Sequence, residues 1–357
     1  MIRHGVIALA VLATVAAAQQ SPVPARAPLE ESQLVARLAA HLDSLTAAGQ
    51  FSGVVVLEQR GRRAFQRAYG MADREAGWPN TLDTRFNLGS VNKAFTATAI
   101  RQLAEAGKLA LDDRLIRHLP DYPNRAVAER VTIAQLLQHT SGIGGNIFGA
   151  PPGGSRGDLL RNSDFIPLFV NEPLQFEPGS RNQYSNAGYV VLGAVIERLS
   201  GMSYYDYVRK NIFEPAGMTS TDFYARDSLP PNTAVGYTRG GPGTPGSAPL
   251  RRNTDLLPGR GSAAGGGYST AEDLLRFAHA VRDGKIRGAP PAGMGIAGGA
   301  PGINALLETA IGDGYDLVVL ANLDPPVAEA VGRQVREWLG VADDEGGGQR
   351  VIRRAPR

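Results

Sequence analysis

Ser90 and Lys93 are the residues of this sequence whose types and spacing best fit covalent chemistry. A serine hydroxyl becomes a strong nucleophile only when a neighbouring group takes its proton. Residues three positions apart share one face of a helix, so the hydroxyl and the amine can come into contact. Lysine can act as that base only if its pKa falls well below its reference value of about 10.4. The pair therefore predicts a serine nucleophile with its own lysine base.

The residues around Lys93 predict the burial that such a base requires. From Val91 to Ile100 the sequence is VNKAFTATAI, in which Lys93 is the only charged residue. A helix of this composition is enclosed on most sides, and desolvation favours the neutral amine. The alternative interpretation is structural: Ser90 caps the helix, and Lys93 extends its amine to the surface. Both interpretations predict that Ser90 opens a helix, whose N-terminus would stabilise negative charge at Ser90.

The composition excludes several classes of function. The chain has 357 residues, 43% of them hydrophobic and 20% charged, which is enough to form one large domain or two closely packed ones. It has no cysteine, so disulfides, thiol catalysis and zinc thiolate sites are excluded. The net charge of +3 gives no support to nucleic-acid binding, and the five histidines are widely spaced. We predict no metal site, no cofactor and no nucleic-acid partner.

The two ends of the chain differ from the rest. Residues 1–18 combine Arg3, an apolar run and an Ala-x-Ala site, which is typical of a signal peptide cleaved after Ala18. Residues 19–29 are rich in proline and are predicted to be a tether, and residues 341–357 a disordered tail. These features predict a periplasmic or secreted protein without a stable membrane span, the alternative being a retained N-terminal anchor.

The body of the chain, residues 30–340, has strand signals near both ends. Residues 51–70 and 303–322 each read as a hairpin, and helical patterns cover residues 30–48 and 325–339. We predict an α+β fold in which both hairpins share one antiparallel sheet, covered by the first and last helices. This part comprises residues 30–86 and 295–340. Residues 87–283 would form a mostly helical second lobe, with the site in the cleft between the two parts.

Several shorter patterns lie within the predicted helical lobe. Thr132 precedes one helix, and residues 269–272, STAE, form a predicted capping box before another. Helices are also predicted over residues 163–170 and 204–213. A further helix, apolar enough to be buried, follows Tyr184-Ser185-Asn186.

Three motifs in order resemble a known family. They are GSVNK at Gly89–Lys93, the Tyr184-Ser185-Asn186 triplet, and the Gly298-Gly299 pair just before the late hairpin. With LLQHTSGI and AGGGYSTAEDLLRFA as further matching stretches, residues 51–338 resemble the serine β-lactamase and penicillin-binding protein superfamily. The resemblance lies in the branch of class C β-lactamases, D-alanyl-D-alanine carboxypeptidases and related esterases, and it implies their fold.

The resemblance also implies a role for each matching residue. Ser90 would be the nucleophile that forms an acyl-enzyme, and Lys93 its base or proton relay. Tyr184 would be the second proton-transfer group, held near Ser90 by a charged lysine or as a phenolate. Asn186 would hydrogen-bond Lys93 and the substrate carbonyl. The backbone N–H of Ser90 would be one oxyanion donor.

The third motif departs from the family pattern. The family usually has a polar residue, any residue and then glycine, whereas this chain has Ile296-Ala297-Gly298, followed by Gly299 as the second oxyanion donor. Ile296 cannot bind a substrate carboxylate, which favours esters or neutral amides over the carboxypeptidase and β-lactamase substrates. The segment from Asp283 to Gly295 is also shorter than in the family, so we expect a shortened sheet.

Together these patterns predict an exported serine hydrolase that acts on a small ester, amide or peptide substrate through a Ser90 acyl-enzyme. The alternative is a non-catalytic or weakly active binding protein that keeps the cleft. Ile296 and the short segment before it favour that alternative. The intact set of Ser90, Lys93, Tyr184 and Asn186 favours the enzyme.

Overall fold

The structure, a computed structural model, describes residues 28–240, 248–289 and 293–341. Its strands in chain order are β1 Gly53–Gln59, β2 Arg62–Tyr69, β3 Met71–Asp73, β4 Trp78–Pro79, β5 Phe86–Asn87, β6 Tyr237–Thr238, β7 Arg251–Arg252, β8 Tyr268–Ser269, β9 Gly295–Ala300, β10 Ile303–Ile311 and β11 Tyr315–Ala321. Its α-helices are α1 Glu31–Ala47, α2 Lys93–Glu105, α3 Leu115–His118, α4 Arg125–Ala128, α5 Ile133–Leu137, α6 Asn186–Ser200, α7 Tyr204–Val208, α8 Glu214–Ala216, α9 Ala271–Arg282 and α10 Val327–Trp338. The predicted signal peptide, residues 19–27 of the tether and residues 342–357 of the tail lie outside the described residues.

One antiparallel sheet joins strands from the two ends of the described chain. Its order is β2-β1-β11-β10-β9. The early hairpin meets the late one because β1 pairs with β11, with Gly53 opposite Ala321 and Gln59 opposite Tyr315. Both predicted hairpins and the predicted α+β architecture are therefore confirmed. Strand β9 lies at the edge of the sheet and leads directly into the late hairpin.

The sheet is buried on both faces, which explains the unbroken apolar run of β1. Val54 and Val56 belong to one hydrophobic cluster, while Val55 and Leu57 belong to another on the opposite face. That second cluster is covered by α1 and α10, through their buried residues Leu34, Leu38, Leu42, Ala328, Val331 and Val335. The first cluster continues into the helical part of the molecule.

Three predicted elements differ from the observed ones. A 3-10 helix covers Asn162–Leu168 where an α-helix was expected, and it contains Pro167, which has no N–H to donate. The helix predicted over 204–213 changes at Arg209 from α-helix to a π-helix. The cap of α9 is Thr270, whose hydroxyl accepts the Asp273 N–H at 3.2 Å, so the predicted Ser269–Glu272 capping box was one residue out of register.

A short two-stranded ribbon joins the strand before Ser90 to a glycine-rich loop. Strand β5 pairs with β8, with Asn87 opposite Tyr268, and the Leu88 N–H donates to the Gly267 carbonyl at 2.8 Å. The residues just before Ser90 are thereby fixed against the loop that ends at Gly267. Within the described ranges, no helix has both the length and the apolar character needed to cross a bilayer.

Candidate active site

Ser90 lies in a tight turn rather than at the start of an α-helix. Gly89–Asn92 form a 3-10 helix, and Lys93 is the first residue of α2. Gly89 has a φ of +49°, and its N–H donates to the Asn87 side chain at 3.0 Å. This left-handed residue turns the chain sharply out of β5, which corrects the prediction that Ser90 itself opens the helix. The predicted contact is present all the same, with 3.0 Å between Ser90 Oγ and Lys93 Nζ.

Lys93 is buried, and its hydrogen-bond partners are uncharged. Only 1% of the residue is exposed. Its amine contacts Ser90 Oγ, Asn186 Oδ1 at 2.7 Å and the Ala264 carbonyl oxygen at 2.5 Å. Burial lowers the pKa of Lys93 well below its ordinary value. Burial and uncharged partners therefore favour the neutral form of this amine, which lies in contact with a serine hydroxyl.

The partners of Lys93 also orient its lone pair. A neutral amine has two N–H donors and one lone pair, and two of its contacts, the Asn186 side-chain oxygen and the Ala264 carbonyl, can only accept. These acceptors take the two N–H groups. The lone pair then faces the third contact, the hydroxyl of Ser90, which is the direction needed to remove the serine proton.

Tyr184 approaches Ser90 from the other side. Its hydroxyl donates to Ser90 Oγ at 2.6 Å. Burial around the phenol raises the pKa of Tyr184, although half of the residue as a whole is exposed. The phenol is therefore protonated near neutral pH, which favours Lys93 over a Tyr184 phenolate as the candidate base.

The N-terminus of α6 positions Asn186 and Tyr184. Ser185 is the cap, because its hydroxyl accepts the Gly188 N–H at 2.9 Å and donates to the Ile143 carbonyl at 2.6 Å. Asn186 is the first residue of the helix, and its side chain contacts Lys93. The capped start of α6 thus holds Tyr184, the residue before the cap, against Ser90. It holds Asn186, the residue after the cap, against Lys93.

Gly298 and Gly299 lie beside the Ser90 turn. A Cβ placed on Gly298 would lie 2.2 Å from the Leu88 oxygen and 2.7 Å from the Ser90 nitrogen. A Cβ on Gly89 would lie 3.1 Å from the Gly299 nitrogen. Only glycine permits this close approach of β9 to the turn. The backbone N–H groups of Ser90 and Gly299 are therefore close neighbours, as an oxyanion site requires.

Ile296 lies earlier on β9 and belongs to the hydrophobic core. It is 9% exposed and is part of the cluster that includes Met294 and Leu307. Its side chain offers neither a charge nor a hydrogen bond. The third motif therefore supplies this site with backbone groups alone.

Sequence reasoning missed three groups at this site. The Ala264 carbonyl contacts the Lys93 amine. Lys93 Nζ also lies 5.4 Å from the centroid of the Tyr189 ring and 4.8 Å from that of the Tyr184 ring. His139, 5% exposed, stacks between the two tyrosines, with centroid distances of 4.7 and 5.1 Å. The stretch LLQHTSGI contains His139 and AGGGYST begins at Ala264, but both served only as family matches without an assigned contact.

One group with metal-ligand chemistry lies outside this site. Glu58, His279 and Asp316 each bring one ligand atom within 4.8 Å of the others. Arg282 already pairs with Asp316 at 2.9 Å, and an Arg63 nitrogen lies 3.7 Å from Glu58. Because two guanidinium groups already neutralise these carboxylates, the donor set fits an ion-pair network better than a cation site.

Comparison with known proteins places the chain in a family. The model of the Beta-lactamase family matches residues 38–346. The chain is 34% identical over 290 residues to esterase EstB of Burkholderia gladioli, covering 72% of this chain and 73% of that protein. It is 36% identical over 216 residues to penicillin-binding protein 4 of Amycolatopsis lactamdurans, covering 59% of this chain and 54% of that protein. The chain spans about half of the length of the penicillin-binding proteins that it matches.

A solved structure shows the same fold. The penicillin binding protein from Bacillus halodurans superposes with a TM-score of 0.71 at 30% identity, covering 83% of this chain and 99% of that one. The family match, the similar proteins and the shared fold are all consistent with the side chains that surround Ser90. The chain therefore belongs to the Beta-lactamase family, among the serine hydrolases that also include penicillin-binding proteins and esterases.

Proposed function

We propose that this protein is an exported serine hydrolase that cleaves an ester or amide through an acyl-enzyme on Ser90. One observation carries the proposal: a buried lysine with uncharged partners lies 3.0 Å from the Ser90 hydroxyl. A surface lysine would be protonated and could not take the proton. The membership of esterases and penicillin-binding proteins in the family supports the same reaction class.

Acylation begins with proton transfer from Ser90 to Lys93. Ser90 Oγ attacks the substrate carbonyl carbon as its proton passes to Lys93 Nζ, and the carbonyl oxygen gains the negative charge. The N–H groups of Ser90 and Gly299 stabilise that charge. Tyr184 gives its proton to the leaving oxygen or nitrogen and regains one from the Lys93 ammonium, which leaves an ester on Ser90.

Deacylation reverses these proton transfers with water. Lys93, neutral again, takes a proton from the attacking water, directly or through Tyr184. The bond between the acyl carbon and Ser90 Oγ breaks, and Oγ recovers its proton from Lys93. The acid is released, and Lys93 and Tyr184 have carried each proton between Ser90, the leaving group and the attacking water.

The substrate class follows from the third motif. Ile296 cannot pair with a substrate carboxylate, so esters and neutral amides are favoured over substrates with a carboxylate beside the reacting bond. The relative named as an esterase supports this choice. Export is proposed from residues 1–18, whose basic start, apolar run and Ala-x-Ala site are typical of a cleaved signal.

The second candidate is a binding protein that keeps the cleft without turnover. The observation that favours it is that Ile296 is buried and brings no polar group to the site. It predicts that substrates bind and that no acyl-enzyme accumulates or turns over.

Covalent labelling separates the two candidates. Purified protein is treated with a fluorophosphonate and, separately, with a fluorescent penicillin, and hydrolysis of p-nitrophenyl esters is followed. We expect fluorophosphonate labelling and ester hydrolysis, both lost in Ser90→Ala and both kept in Ser228→Ala, an exposed serine control. Ester hydrolysis without penicillin labelling would favour the esterase. Hydrolysis that survives Ser90→Ala unchanged would refute the mechanism.

A further inference from the structure

His139 contacts the chain on both sides of Tyr184. Its backbone carbonyl accepts the Gln183 N–H at 2.8 Å. Its ring nitrogen Nδ1 accepts the Ser185 N–H at 3.2 Å. Between these two contacts, the imidazole lies against the Tyr184 ring, with centroids 4.7 Å apart and planes inclined by 32°. One residue therefore contacts the three consecutive residues that carry the phenol.

The opposite face of the imidazole is also occupied. The Tyr189 ring stacks on it at 5.1 Å and 29°, and the Tyr189 hydroxyl donates to the Leu137 carbonyl at 3.1 Å. Tyr189 lies on α6 and is 2% exposed. Tyr184, half of which remains exposed, thus packs against an imidazole that is held between the end of α5 and Tyr189 of α6.

The backbone of His139 has an unusual conformation. Its φ is +58°, in the left-handed region that glycine and asparagine adopt more readily, and it directly follows the C-cap Gln138 of α5. Glycine would end this helix at less cost. A histidine held here at a cost in strain points to a use for its side chain.

We propose that His139 is a positioning residue, which holds the Tyr184 phenol on Ser90 by stacking on its ring and by binding the backbone on either side. The inference rests on the proposed function. The phenol donates to Ser90 Oγ at 2.6 Å, half of the Tyr184 residue is exposed, and the stacked imidazole covers one face of its ring. Because a displacement of about 1 Å can cost roughly a hundredfold in rate, the stack matters for turnover more than for substrate binding.

His139→Asn tests the role of the ring. Asparagine tolerates the left-handed backbone, so the Gln183 contact is kept while the stack is lost. We expect kcat to fall by about tenfold to a hundredfold with KM within about threefold. His118→Asn is the matched control, because His118 is equally buried but pairs with Asp113 instead. It should leave kcat within about twofold, since nothing links it to the phenol.

A double-mutant cycle shows whether His139 acts through Tyr184. In a Tyr184→Phe background there is no phenol to position, so adding His139→Asn should lower kcat by less than about twofold. An equal loss in both backgrounds, or wild-type kcat in His139→Asn, would overturn the inference. If His139→Asn does not fold, His139→Gly removes the same ring with the least backbone strain and is read in the same way.

A crystal structure of His139→Asn keeps this test independent of turnover. We expect the distance between Tyr184 and Ser90 hydroxyl oxygens to exceed hydrogen-bond range, or the Tyr184 ring to be disordered. An unchanged distance would overturn the positioning role even if the protein proved to be a binder. Conversely, loss of the contact in a protein without Ser90-dependent hydrolysis would refute the proposed function alone.

Discussion

The molecule treats the buried ionisable groups of two regions in opposite ways. Around Ser90, Lys93 is buried among uncharged acceptors, and burial lowers its pKa. At the far end of the β1–β11 pairing, Glu58 and Asp316 are opposite each other and almost fully buried, yet each contacts a basic side chain. The first arrangement places an amine with uncharged partners beside a hydroxyl, whereas the second pairs acidic and basic side chains that hold α9 to the sheet.

The difference shows how a buried ionisable group that takes part in chemistry can be distinguished from one that stabilises the fold. A buried ion is tolerated when a partner compensates its desolvation, and such pairs serve the fold. A buried amine without a charged partner is tolerated only when neutral, which costs stability and is retained where chemistry uses it. Replacing one long basic side chain in each region, Lys93 or Arg282, by methionine separates the two cases.

Lys93→Met should have the largest effect of all on activity. Methionine has a similar length and no proton acceptor, so we expect kcat/KM for ester hydrolysis to fall by about a thousandfold. The free energy of unfolding should not fall, because methionine fills the same apolar setting and removes the cost of keeping an ionisable amine neutral on folding. Steady-state kinetics and urea denaturation measure the two quantities. Comparable losses in both would contradict the comparison.

Arg282→Met should show the reverse pattern. Asp316 is fully buried and would keep only the Ala310 N–H as a described donor, so its charge loses its compensation. Breaking a buried pair costs roughly 3–5 kcal/mol, and we expect about 2 kcal/mol here because the Arg282 side chain is 40% exposed. Activity per folded molecule should stay within about twofold, as kinetics with active-site titration would show. A large loss of kcat at unchanged stability would count against this assignment.

The pH dependence of stability should show the smallest effect for a step of one pH unit. The pKa of Lys93 is low in the folded protein and ordinary, near 10.5, in the unfolded chain. At pH values between these two pKa values, the unfolded chain binds one proton more than the folded protein. The contribution of Lys93 to the free energy of unfolding therefore rises with pH within this window and levels off above it. Relative to Lys93→Met, the wild type should gain about 1.4 kcal/mol per pH unit within the window.

Urea denaturation of both proteins at several pH values between 6 and 9.5 measures this slope. Lys108→Met, at an exposed lysine, is the control, and its difference from the wild type should not vary with pH. Parallel curves for the wild type and Lys93→Met would mean that the folded lysine titrates normally.

Much of the fold was predictable because its signals are local. The two hairpins, the first and last helices and the Thr132 cap follow from patterns a few residues long, and the structure confirms them. The errors were local as well. The observed structure differs from the prediction by a residue or by helix type at the Ser90 turn, at the 3-10 helix containing Pro167 and at the Thr270 cap. Such differences depend on how the ends of each segment pack.

The sequence by itself determined the nucleophile and base candidates, because residues three apart in one turn have a fixed separation. It also determined that Lys93 is surrounded by apolar neighbours and that Ile296 brings no charge. Only the tertiary structure decided which groups contact Ser90 and Lys93. Tyr184, Asn186 and the Ala264 carbonyl reach Ser90 and Lys93 from residues 93 to 171 positions away. No local pattern specifies such distances, since they depend on how separate helices, loops and the edge strand β9 pack around one buried amine.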